Sequence, residues 1–351
     1  MNARLIILML LLMAVPALAQ GFAGLGGDAQ GFAMPRRGVP LAFPRDHGAH
    51  PDYRIEWWYL TANLKGDDGR DYGAQWTLFR SALAPEERPG WQSPQLWMGH
   101  AALTTAERHY SAERVGRGGV GQAGVTLAPF SAAIDDWNMV GHAKPPADEL
   151  SALTITAAGE GFSYRLELDA QGPLVLQGER GYSVKSAQGQ ASYYYSQPFY
   201  RVTGSITVDG KEIVVTGQAW FDHEWSSQPL AKDQTGWDWF SFHFDSGAKL
   251  MGFRLRDQGD GFTSATWINP DGTPEPQPPG ALTVTPRAWA EMKGHRVPVQ
   301  WNVSLPARGV AVTTAPVIED AWMETQVEYW EGPVRITGSH PGVGYVEMTG
   351  Y

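Results

Sequence analysis

The 351-residue chain contains no cysteine. That absence excludes disulfides, thiolate zinc sites and cysteine nucleophiles together, so an exported chain must be held by its own core. Charge is scarce as well: Asp, Glu, Lys and Arg make up 18% of the residues, with a formal net charge of -10. An acidic balance argues against nucleic acid and anionic membrane surfaces as partners. No G-x-S-x-G nucleophile elbow occurs, which removes an α/β-hydrolase reading, and no Gly-rich phosphate loop is present. Amphipathic helices of ordinary length are also missing. The best candidate, "TPRAWAEM" at 285–292, is short, and Val284 and Pro286 favour an extended start.

Long apolar runs are confined to the first residues. "MNARLIILMLLLMAVPALAQ" has a basic Arg4, an apolar stretch from Leu5 to Val15 and the small-x-small ending Ala17-Leu18-Ala19. This pattern predicts a secretory signal peptide over 1–19, cleaved after Ala19, and a periplasmic or secreted product that starts at Gln20. The run is too short for a comfortable membrane span. Losing Arg4 moves the formal charge from -10 to -11. No Cys follows the signal, which excludes a lipid anchor on cysteine.

Aromatics and turn formers are abundant instead: 12% Phe, Trp and Tyr with 15 Trp, alongside 41 Gly and 25 Pro. Such a composition predicts an all-β protein with many turns between short strands, and the length suits about two domains. Lipid-binding barrels and carbohydrate-binding sandwiches share that profile. Residues 20–45 lack periodicity and read as a flexible lead-in. "RIEWWYLTANL", the turn "KGDDGRD" and "YGAQWTLFR" then form a hairpin. "GWDWFSFHFDSGAKLMGFRLR" repeats that plan, with Trp57 and Tyr59 matching Trp237 and Trp239 and Phe79-Arg80 matching Phe253-Arg254. Two similar β domains in tandem, 46–226 and 227–351, account for the likeness. "FDSGAK" contains an Asp-Ser-Gly triplet but reads as a hairpin turn, and the Pro-rich "NPDGTPEPQPPG" reads as a surface loop.

Chemistry concentrates in "TGQAWFDHEWSSQPLAKDQTGWDWFSFHFD", where Asp222, His223, Glu224 and Asp238 lie among Trp220, Trp225, Trp237 and Trp239. In an extended chain Phe221, His223 and Trp225 share one face, while Trp220, Asp222 and Glu224 share the other. Trp237, Trp239, Ser241 and His243 likewise oppose Asp238, Phe240, Phe242 and Phe244. Both faces carry aromatics, so both are expected to be covered and at least one carboxylate desolvated. Desolvation favours a neutral acid able to donate a proton. The alternative is a structural carboxylate accepting backbone or indole N–H bonds. In "HGAHPDYRIEWWY", Glu56 and Trp58 point one way and Trp57 and Tyr59 the other, with Arg54 or Arg80 available to neutralise Glu56. His223-Glu224 lacks the second histidine of a zincin. Scattered His47, His50, His100, His142 and His223 are read as hydrogen-bonded or surface residues, and no metal is expected.

"FPRDHGAHPDYRIEWWYLTANL", "YGAQWTLFR", "GQAWFDHEWSSQPL", "GWDWFSFHFDSGAKLMGFRLR" and "YWEGPVRITG...GVGYVEMTGY" resemble the AttH-type family of secreted proteins, relatives of bacterial carotenoid 1,2-hydratases and of fungal hydratases and cyclases. The resemblance runs from Phe43 to Tyr351. It implies two tandem lipocalin-like antiparallel β-barrels packed together, with a pocket for a hydrophobic, isoprenoid- or lipid-like molecule near the "DHEW" junction. It implies acid-catalysed hydration or isomerisation of a C=C bond without a cofactor. Asp238 is then the expected proton donor, Asp222 and Glu224 its rivals, and His223 the residue that orients acid or water. Trp225, Trp237 and Trp57, with Glu56 and Tyr59, are the expected ligand contacts. The alternative for the same fold is a non-catalytic lipophilic carrier or an accessory of a membrane transporter.

Overall fold

Alternating apolar residues between glycine and aspartate turns leave the backbone little choice but extended hairpins. The computed structural model describes residues 22–27 and 29–351, so the expected signal peptide lies outside the described residues. All helical elements among the described residues are three-residue 3-10 turns. Two antiparallel sheets carry the fold. One has thirteen strands, curls almost into a closed barrel, and uses strands from Ile55–Gly66 through Lys211–Ser226. The other has ten strands, forms a half-barrel, and uses strands from Gly236–Phe244 through Gly342–Thr349. The architecture is the double lipocalin-like fold expected above.

Each sheet wraps its own core. Trp58, Trp76, Trp137, Tyr195, Phe221 and Trp225 fill the barrel, and Phe240, Phe242, Trp301 and Trp330 fill the half-barrel. A third cluster sits between the two outer faces, with Tyr59, Tyr194 and Trp220 meeting Trp239, Met251, Phe253 and Tyr345. Period-2 alternation explains the division. On the Lys211–Ser226 strand, Phe221, His223 and Trp225 turn inward while Trp220 and Asp222 meet the other sheet. Burying each large apolar side chain of the cluster between the outer faces contributes about 1.5–3 kcal/mol, so the sheets are held as one unit.

Three segments differ from the sequence reading. "TPRAWAEM" belongs to the Thr283–Met292 strand, which lies at one edge of the second sheet. Burial there alternates, and an edge strand tolerates Pro286 because no ladder hydrogen bond is lost on the free side. Inside "NPDGTPEPQPPG", Pro274–Pro276 forms a short strand at the opposite edge, a position that again tolerates proline. The expected lead-in is tied to the barrel. The Arg36 backbone N–H donates to Tyr193 Oη at 2.9 Å, and Ser227 Oγ donates to the Ala33 carbonyl at 2.5 Å.

Candidate active site

The sheets do not touch everywhere. Toward the Ile55 and Gly236 ends of their central strands they enclose a cavity of about 230 Å³. Trp57, Tyr59 and Phe79 wall it from the first sheet and Trp237, Trp239 and Phe253 from the second. Set into these aromatics are Asp222, Glu224, Glu347 and Lys185. A cavity mostly apolar with a few convergent polar groups is the usual form of a small-molecule site.

The acids fall into distinct environments. Asp222 is 2% exposed; its Oδ1 accepts from Trp220 Nε1 at 2.7 Å and Ser196 Oγ at 2.5 Å, and its Oδ2 from Tyr194 Oη at 2.6 Å. Those donors favour the anion, yet burial outweighs them, and with Glu224 nearby the carboxyl is pushed up to about 7. Glu347 is likewise raised to about 7, first by burial and then by the neighbouring Asp222 and Glu224, although the Trp237 indole donates to it. Its cross-strand partner Glu331 is fully buried and raised well above the ordinary range, by burial and by Glu347. Tyr59 donates to Glu331 Oε1, Tyr329 lies alongside, and Oε2 finds no well-formed hydrogen bond among the described residues. Glu224 instead pairs with Lys185 Nζ at 2.8 Å. Two carboxyls that keep their protons up to about pH 7, one from each sheet, therefore face a largely apolar cavity.

Other expected site residues do different work. Asp238, expected as the proton donor, points into the half-barrel and is held by Arg254 Nε at 2.8 Å, Arg256 Nη1 at 2.6 Å and Tyr351 Oη at 2.8 Å. Flanked by two guanidiniums, it lies away from the cavity wall and is committed to ion pairs inside the half-barrel. His223 and Trp225 turn into the barrel and do not line the cavity. His223 Nε2 donates to Glu56 Oε1 at 2.9 Å, and its ring stacks on Trp58 with centroids 4.6 Å apart. Burial keeps His223 neutral, lowering it to about 4. Trp225 stacks at 3.9 Å on His50, which donates through Nδ1 to the same Glu56 oxygen at 2.6 Å. Arg80 Nε at 2.8 Å and the His50 backbone N–H at 2.9 Å take Glu56 Oε2. The "HGAH" and "DHEW" segments are thus the two sides of one buried bracket around Glu56, which the Glu56–Arg80 pair then fastens to the next strand.

His50, Glu56 and His223 also bring their ligand-type atoms within 4.8 Å of one another, so they are the described residues that could hold a metal ion. Glu56 already accepts four N–H groups, which leaves its oxygens committed. Of the expected ligand contacts, Trp57, Tyr59, Trp237 and Glu56 line the cavity and Trp225 does not.

Glu347, Glu331, Lys185 and Tyr194 escaped the sequence reading. Two signals pointed to the acids: a lone glutamate in the apolar alternation of "GYVEM", and another beside Trp330 in "YWEG". Lys185 and Tyr194 carry no such mark, because only sheet pairing places them on the cavity.

Comparison with other proteins fits this architecture. No curated protein matches the chain. A crystal structure of a putative AttH from Nitrosomonas europaea is 32% identical, covers 91% of this chain and 99% of its own, and superposes with a TM-score of 0.80. Kievitone hydratase from Nectria haematococca shares the fold at 17% identity, over 91% of this chain and 98% of its own, with a TM-score of 0.65. CghA, solved with Sch210972, shares it at 13% identity over 92% and 97%, with a TM-score of 0.53. The AttH-like family matches residues 34–351, nearly the whole described chain with both sheets and the cavity between them, and the protein belongs to that family.

Proposed function

We propose that the protein binds a hydrophobic small molecule in the cavity between the sheets and hydrates or isomerises a C=C bond by acid catalysis, with no cofactor. The observation that carries this reading is the pair Asp222 and Glu347, carboxyls raised to about 7 from opposite walls of an aromatic cavity. A neutral carboxylic acid gives its proton to one alkene carbon, and the π electrons form the new C–H bond. The cation left on the other carbon faces the indole rings of Trp57, Trp237 and Trp239, which stabilise positive charge. Water adds there and releases a proton to the carboxylate, which restores the acid; loss of a neighbouring proton instead gives isomerisation. Glu224 is paired with Lys185 and adds no net charge beside the developing cation, so the indoles and the carboxylate left after proton transfer carry that stabilisation. The hydratase named among the structures of similar fold supports the reading at the level of architecture.

Mass spectrometry of molecules released from the purified protein identifies the ligand to test. With that ligand, Asp222→Asn and Glu347→Gln together are expected to lower turnover by about 100-fold or more, the usual scale of general acid catalysis. Activity should fall as pH rises through about 7, where both acids ionise. Full activity in the double variant would discard the acid mechanism. A ligand released intact and never converted would instead favour a carrier or a transporter accessory. We also propose export, on the Arg4, Leu5–Val15 and Ala17-Leu18-Ala19 pattern, and N-terminal sequencing of the extracytoplasmic form should begin at Gln20.

A further inference from the structure

Charge around the cavity does not balance. Glu56 and Arg80 pair with each other at 2.8 Å, and Lys185 pairs with Glu224 at 2.8 Å. His100 is neutralised by burial and hydrogen-bonded to Tyr329 Oη at 2.8 Å, while Tyr59, Tyr194 and Tyr329 are held un-ionised. Asp222 and Glu347 remain, with Glu331 behind them, and among the described residues none of the three forms an ion pair. Among the described residues the two cations that line the cavity, Arg80 and Lys185, are already paired with Glu56 and Glu224, and eight Phe, Tyr and Trp rings face the same space.

The cavity already contains one solution to this kind of environment. Lys185 Nζ lies 4.4 Å from the Phe253 ring centroid and 4.8 Å from that of Tyr194 while it contacts Glu224. An ammonium between aromatic faces and a carboxylate is thus stable here, and desolvated cation–π contacts are stronger than exposed ones. Asp222 and Glu347 with Trp57, Trp237 and Trp239 offer the same combination of groups with no lysine in it.

Resting on the reading of this cavity as a ligand site, we infer that it prefers ligands bearing an organic ammonium group, bound between Asp222, Glu347 and the indoles of Trp57, Trp237 and Trp239. A bound cation draws the protons off the two acids, so the preference belongs to the ionised cavity and fades as the acids protonate. An ammonium also carries the positive charge of a tertiary carbocation in a similar volume, although it is tetrahedral where the cation is planar, which connects the preference to the proposed chemistry.

The test uses the full chain and two isosteres, benzyltrimethylammonium and neopentylbenzene, with binding followed by tryptophan fluorescence and equilibrium dialysis. The ammonium should bind about tenfold tighter at about pH 8.5, and the difference should shrink to about twofold at about pH 5. Asp222→Asn with Glu347→Gln should abolish the preference while neopentylbenzene still binds, which also reports an intact cavity. Lys185→Met, which frees Glu224, should strengthen the preference. Equal or tighter binding of neopentylbenzene by the wild-type protein at about pH 8.5 would overturn the inference and leave the cavity a ligand site. So would a preference that survives the double substitution. Binding of neither compound would sink the ligand site itself and the proposed function with it.

Discussion

The hairpins Ile55–Ala82 and Gly236–Arg256 place the same pair of residues to opposite ends. In the first, Glu56 lies opposite Arg80 and Trp57 opposite Phe79; in the second, Asp238 lies opposite Arg254 and Trp239 opposite Phe253. The carboxylate in each is buried and tied to arginine, Glu56 at the edge of the cavity lining and Asp238 away from it, while the tryptophan in each points out toward the cavity. Strand register therefore equates Glu56-Trp57 with Asp238-Trp239, two residues away from the match of Trp57 to Trp237 suggested by sequence. A carboxylate with a guanidinium is a structural element. Asp222, Glu347 and Glu331, which lack one, hold their protons to higher pH than ordinary carboxyls, and that difference separates fold from chemistry in this molecule.

The comparison predicts opposite outcomes for superficially equal substitutions. Glu56→Gln strands the buried Arg80 and the two histidines, and is expected to destabilise by about 3–5 kcal/mol in denaturant melts. Asp238→Asn should cost somewhat less, since Arg254 and Arg256 keep partial access to water. If either variant melted like the wild type, the structural assignment of these acids would be wrong.

Glu331→Gln removes a buried acid that has no cationic partner, and should be neutral or stabilising by about 1 kcal/mol at about pH 8. A loss as large as that of Glu56→Gln would erase the proposed distinction.

Stability against pH sharpens it further. Asp222 and Glu347 hold their protons in the folded state up to about 7 but release them near 4 when unfolded. The folded form thus binds more protons between those values, and stability declines there as pH rises, by at most about 1.4 kcal/mol per pH unit per group. His223, lowered to about 4, acts in the opposite direction across part of that window. The difference between the wild type and Asp222→Asn with Glu347→Gln isolates the two acids, and the double variant should lack their decline. His50, raised to about 8 by Glu56 and Asp46 against its burial, adds stability that is full below about 6.5 and lost as pH climbs through 8. The smallest expected effect is Tyr351→Phe, which removes one of three partners from Asp238 and should cost about 0.5–1.5 kcal/mol.

The all-β class, the hairpins and the two-sided burial of "AWFDHEW" were legible in the chain, because side-chain alternation and turn residues act locally. So was the pairing of Glu56 with a nearby arginine. The choice among carboxylates was not. Asp238 sits in a Trp-rich strand as conspicuously as Asp222, and only the cross-strand position of Arg254 and Arg256 distinguishes them. Trp225 looked like a wall of the pocket for the same reason, since parity tells which residues share a face but not which face meets the partner sheet.

What the sequence determined alone is the set of strands and the faces each presents, along with a composition rich enough in indole to cover both. Tertiary structure decided which of those faces meet, and hence that Glu347, more than a hundred residues from Asp222, shares its cavity. A carboxyl group's protonation depends on the few charges and dipoles within several ångströms, and those neighbours arrive from distant strands only when the sheets close.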